Sequence, residues 1–121
     1  MKEDNPIKKL EEIVESDKRY GLEAYIFVLE ALHFTVFKLK RQGHLSGEEL
    51  LEGIKEYAIN QYGKMARTVF EHWGVKETQD FGNIVFTMVD NELLGKTEQD
   101  SIDDFKNRYN FKEVFEDKFN L

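Results

Sequence analysis

KMARTVFEHWGVKETQDFGNIVFTMVDNELLG, residues 64–95, decides the fold class of this 121-residue chain. Met65 to Trp73 carries apolar side chains at helical spacing, and Gly74 follows where a left-handed helix cap costs glycine nothing. Thr78 is placed to cap a further helix that turns Phe81, Ile84, Val85, Met88, Val89 and Leu93 to one side. Gly82 within it costs about 1 kcal/mol against alanine, which predicts close backbone packing there. Two helices around a tight turn make a helix-turn-helix outline. Its charges do not suit nucleic acid: the second helix offers Gln79, Asp80, Asn83, Asp90, Asn91 and Glu92, with no cation before Lys96.

Upstream, Ser46-Gly-Glu-Glu49 is a capping box that opens a helix with Leu50, Leu51, Ile54, Tyr57, Ala58 and Tyr62 inward. Gly63 breaks or kinks that helix. Before it, a helix from about Leu22 to Arg41 carries Tyr25, Phe27, Val28, Leu29, Leu32, Phe34, Val36, Phe37 and Leu39 around most of its circumference, and Gly43 ends it. A helix apolar nearly all round is usually central and covered by others. Asn5-Pro6 fits a first helix start, with Ile7, Leu10, Ile13 and Val14 at helical spacing. Beyond Gly95, Phe105, Tyr109 and Phe111 suit either a strand or a helical turn, and Ser101-x-x-Asp104 supports a helix start. Three helices plus a short hairpin over Gly47–Phe111 would form a winged-helix-like unit. Phe115 and Phe119 are placed to pin the tail. The expectation is a single mainly α domain over residues 1–121, with about five helices, a helix-turn-helix core and an optional C-terminal hairpin.

Composition narrows the chemistry. A formal charge of −7 and a content of 40% hydrophobic and 34% charged residues describe an acidic globular chain that disfavours nucleic acid and anionic lipid. Without cysteine there is no disulfide, thiolate nucleophile or cysteine-ligated metal. The N-terminal residues are too charged for a signal peptide, and the run Ala24–Leu39 is interrupted by Glu30, His33 and Lys38. A cytoplasmic location, no membrane association and no cofactor are therefore expected.

Glu30-x-x-His33 has the spacing used by di-iron helix bundles, but a second copy and two further glutamates are missing, so mutual hydrogen bonding is the simpler reading. His72 stands at a helix end, where the dipole favours a cation, and reads as a capping histidine. No nucleophile elbow surrounds any serine, and no Gly-rich phosphate loop occurs. Lys38, Lys40 and Arg41, with Arg67 elsewhere, are the residues that would serve a nucleic-acid binder, although the first three also complement a helix C-terminus. Ten Phe, five Tyr and one Trp are generous for so small a core. Tyr62, Trp73, Phe105, Tyr109 and Phe111, at element ends or in the irregular C-terminal region, are the candidate partner-binding rings.

Several blocks resemble those of a small bacterial protein family without an assigned activity. They are Asp17-Lys-Arg-Tyr20 with Glu23-Ala-Tyr-Ile-Phe-Val28, Ser46-Gly-Glu-Glu-Leu-Leu-Glu-Gly53, Tyr62-Gly-Lys-Met-Ala-Arg67 through Trp73-Gly74, and Asp80-Phe-Gly-Asn-Ile-Val-Phe86, followed by Leu93-Leu94 and Asp100-Ser101 to Asp104-Phe105. The resemblance implies a bacterial origin and a shared fold, and no catalytic residue. The leading expectation is a non-enzymatic interaction or regulatory module that contacts a protein partner or itself. A winged-helix-like nucleic-acid binder and a helix-bundle metal protein using Glu30 and His33 are the alternatives.

Overall fold

A computed structural model describes residues 6–41, 44–95 and 101–117. The helices are α1 (Pro6–Ser16), α2 (Leu22–Leu39), α3 (Gly47–Tyr62), α4 (Ala66–His72), α5 (Thr78–Asp90) and the short α6 (Phe111–Phe115). 3-10 turns occupy Gly63–Met65 and Ile102–Phe105. The fold is mainly helical, as the periodicity predicts. The expected C-terminal hairpin is absent: no strand occurs among the described residues, and Ser101–Asp104 closes a capping box at the head of a 3-10 turn. Phe105 ends that 3-10 turn and Phe111 opens α6, while Tyr109 between them lies in neither helix nor strand.

Helix α2 packs along α3 and also meets α1 and α5, while α4 lies against α3 and α6. The α2–α3 crossing is set by Gly53, where a Cβ would stand 1.7 Å from Thr35 Oγ1. The buried Thr35 hydroxyl donates to the Ala31 carbonyl at 2.7 Å, so its polarity is satisfied within α2. Gly82 plays the matching part on α5: a Cβ there would fall 2.7 Å from Phe105 Cβ. The close approach expected from its mid-helix position is thus made by the 3-10 turn. Between these crossings, Phe27 and Phe70 organise the aromatic core, their ring centroids 5.2 Å apart and edge-on. Phe70 also meets Phe81, Phe111 and Phe115 at 5.3–5.6 Å.

Helix ends follow local chemistry with three departures. Ser46 and Glu49 make the capping box predicted for α3. On α5, however, Glu77 is the cap, with Asp80 reaching back to it. Thr78 is instead buried, donating to the Phe105 carbonyl at 2.6 Å and accepting from Arg108 N–H at 3.1 Å. Helix α2 stops at Leu39, where Lys40 takes the left-handed conformation (φ 54°) and Arg41 N–H returns to the Val36 carbonyl. Gly63, also at positive φ, leads into a 3-10 turn, so α4 starts at Ala66 and not Met65. Gly74 (φ 90°) behaves as predicted, and its missing Cβ admits the Arg19 carbonyl, which would lie 2.3 Å from that atom. Finally, α2 is not covered on all sides. Phe37 is 84% exposed on the outer side of this apolar helix, while Leu39, 41% exposed, lies on the opposite side at the groove with α3.

Candidate functional site

The open face of α2 is the structure's least expected feature. At 100° per residue, Glu23, Ile26, Glu30, His33 and Phe37 fall within an arc of about 80°, and Lys40, the left-handed cap residue, follows three positions on. Their spacing alternates three and four residues, the pattern of a helix-pairing seam. Ile26 is half-buried and the other five are exposed. Leu29 and Val36 flank the stripe, both partly buried. Phe34 lies on the other flank with its ring 5.2 Å from Tyr57. Phe37 thus presents a large apolar ring to solvent from this stripe. Sequence reading places Phe37 among the core residues; the three-four stripe on an otherwise apolar helix is the signal that identifies it.

Glu30 and His33 lie on this face and do not converge with other ligands. Glu30 accepts a hydrogen bond from the Tyr57 hydroxyl at 3.3 Å, so its neighbour is Tyr57 and not the expected imidazole. Among the described residues no three His, Asp or Glu side chains are grouped as a metal site. His72 is exposed at the last residue of α4.

The basic residues are largely engaged. Lys38 pairs with Glu56 across α2 and α3, and Arg41 grips Glu49 with two nitrogens, the longer contact being 3.0 Å. The guanidinium beside Glu49 holds that carboxyl below its usual range. Arg67 bridges Glu116 at 3.0 Å and Glu71 at 3.3 Å. Lys40 is exposed at the α2 cap. A phosphate backbone would compete with carboxylates for three of these four cations, which weighs against nucleic-acid binding through them.

The five candidate partner-binding rings are turned inward to different degrees. Phe105 and Phe111 are 2% and 4% exposed, buried against α5 and α4 respectively, and are corrected to core residues. Tyr109 is half-buried and donates to the Leu51 carbonyl at 2.7 Å. Tyr62 and Trp73 are half-buried and edge-on to each other at 6.0 Å, both packed on Phe27. The aromatic richness is consumed mainly by the core. Phe115 is fully buried as expected, and Phe119 lies outside the described residues, as do Gly43 and Lys96.

Two grooves among the described residues border α2. One of about 490 Å³ runs between α2 and α3, lined by Leu39 and Ile59 with Glu48, Glu52 and Glu56 along its wall. The other, about 360 Å³, is apolar, between Leu32, Val36, Leu50, Val85, Phe86 and Leu94. Inside the protein, Tyr20 donates to Asp80 at 2.6 Å and accepts from Asn83 at 2.9 Å, tying the α1–α2 loop to α5. Burial raises the phenols of Tyr20, Tyr25 and Tyr109 above the ordinary tyrosine range. Tyr20 is a positioned structural hydroxyl. No helix among the described residues is long and apolar enough to cross a membrane. Comparison with family models, with curated proteins and with solved structures gave no match.

Proposed function

We propose that this chain is a non-enzymatic protein-interaction module that docks through the outer face of α2. The observation that carries the reading is Phe37, 84% exposed on the outer stripe of a helix that packs against α1, α3 and α5. Leaving a phenylalanine in water forgoes about 1.5–3 kcal/mol of burial, which docking recovers. Phe37 supplants the aromatic residues after Gly95 as the contact residue, since those rings already have partners within the fold.

The resemblance to a small bacterial family stands beside this as a proposal about ancestry. Its blocks contain Gly53, Gly74 and Gly82, the three glycines among the described residues where a Cβ would meet neighbouring atoms closer than 3 Å. That is support for a common fold and says nothing of chemistry.

Site-specific photocrosslinking in cells tests the functional reading. A photoreactive phenylalanine at position 37 is expected to give discrete crosslinked protein bands. The same group at exposed Glu113 should give few. Equal, diffuse labelling from both positions would remove the reading.

A further inference from the structure

The outer stripe of α2 is complementary to itself. Reversing it and laying it on a second copy pairs Glu23 with Lys40, Ile26 with Phe37, and Glu30 with His33, because in each pair the residue numbers share one midpoint. Every layer of that arrangement is matched: acid on base, aliphatic on aromatic, carboxylate on imidazole. A two-fold axis at the midpoint produces each pair twice, as an isologous interface requires. We propose that the occupant of this face is a second copy of the chain, packed antiparallel, α2 on α2.

The inference rests on the interaction reading above and gives it a partner. Complementarity of charge along the seam is what selects a second copy. The stripe is acidic toward the helix N-terminus, at Glu23 and Glu30, and basic at Lys40, so parallel packing would set like charges together. It also gives Glu30-x-x-His33 a use that metal binding does not: the two residues answer each other across the axis. From Glu23 to Lys40 the seam spans about 25 Å at 1.5 Å per residue, enough for three layers on each side of the axis. Two chains of charge −7 repel at long range. That repulsion is screened beyond ~8 Å at physiological ionic strength, whereas contacts within the seam are not. One helix pair is at the small end of interfaces, where burial of ~1,200 Å² or less accompanies transient association. A weak dimer follows, with a Kd on the order of 10–500 µM.

Sedimentation equilibrium from about 10 µM to 1 mM tests this with charge exchange. The wild-type chain is expected to dimerise, and Glu23→Lys and Lys40→Glu are each expected to weaken the dimer about tenfold, which is about 1.4 kcal/mol over the two symmetric contacts. Mixing the two variants should restore the wild-type Kd within about twofold, because every charged pair is then opposite again. A fold defect in either variant could not be repaired by mixing. A wild-type monomer at 1 mM, or a mixture no tighter than its components, would overturn the second-copy inference. In that event, retained crosslinking from position 37 to a different protein would leave the interaction reading standing, and its loss would take both.

Discussion

Replacing Gly53 with alanine probes the contact on which α2 and α3 are aligned. Alanine favours a helix over glycine by about 1 kcal/mol, so on an open helix face the change would stabilise. Here the new methyl falls 1.7 Å from Thr35 Oγ1, 2.8 Å from its Cβ and 2.9 Å from its Cγ2. Rotating Thr35 moves the outer atoms but leaves Cβ in place, and carbon atoms rest at about 3.5–4.0 Å. The two helices must therefore separate by roughly an ångström. A gap of that size forfeits a quarter to a half of the dispersion energy of the contacts it opens. Overpacking costs about 1–3 kcal/mol, and this crossing belongs at the upper end because backbone has to move. Net of the helix gain, about 2 kcal/mol of stability is lost. For a chain of this length the melting temperature should fall by roughly 6–10 °C. Thermal melting followed by far-ultraviolet circular dichroism reads the effect directly. Thr35→Gly should absorb part of the penalty, giving a coupling of about 1 kcal/mol or more in a double-mutant cycle. A Gly53→Ala protein that melts at or above the parent would refute the packing argument.

Two further predictions concern the interior. Thr78→Val keeps the shape but strands the Phe105 carbonyl and the Arg108 amide, so urea denaturation should show a loss of about 1–3 kcal/mol. The tyrosines set an alkaline limit. Their phenols are held above the ordinary range in the folded protein, chiefly by burial, while the unfolded chain ionises near pH 10. A raised folded value means stability is fully present below that pH and falls as pH rises above it. Tyrosinate absorbance should therefore lag behind that of free tyrosine and appear together with unfolding; a smooth titration of all five phenols near pH 10, with structure retained, would contradict the burial.

Most of the architecture was legible because it depends on local signals. The Ser46 box, the Gly74 turn and the apolar stripes of α3 and α5 are set by neighbours within one or two helical turns, and each appears where its spacing points; on α1 Leu10 and Ile13 are buried as expected, while Ile7 is 44% exposed. Thr78 misleads because threonine serves a cap and a buried hydrogen bond equally well, and the partner that decides, Phe105, is far away in sequence. The hairpin fails for a related reason. Tyr109 and Phe111 alternate as a strand would, yet both rings pack on Phe115, with the Tyr109 hydroxyl held by the Leu51 carbonyl and Phe111 set against Phe70.

The α2 face was hidden by its own composition. Apolar residues all round a helix imply burial on all sides, and sequence alone does not show that the neighbouring helices leave one side free. Glu30 and His33 were visible as a motif, but their exposure, the Tyr57 hydrogen bond and their place on a heptad-spaced stripe are tertiary facts. The basic residues are a parallel case: Lys38, Lys40 and Arg41 cluster in sequence with Arg67 apart, and in space Lys38, Arg41 and Arg67 each have a carboxylate.

The most direct examination of the central claim, that the outer face of α2 is an interface, is a dilution series of amide nitrogen–proton NMR spectra. Concentration-dependent shifts and broadening are predicted at Glu23, Ile26, Glu30, His33, Phe37 and Lys40, fading elsewhere. Spectra that do not change with concentration, or changes centred on the groove around Phe86 with the α2 stripe silent, would contradict it.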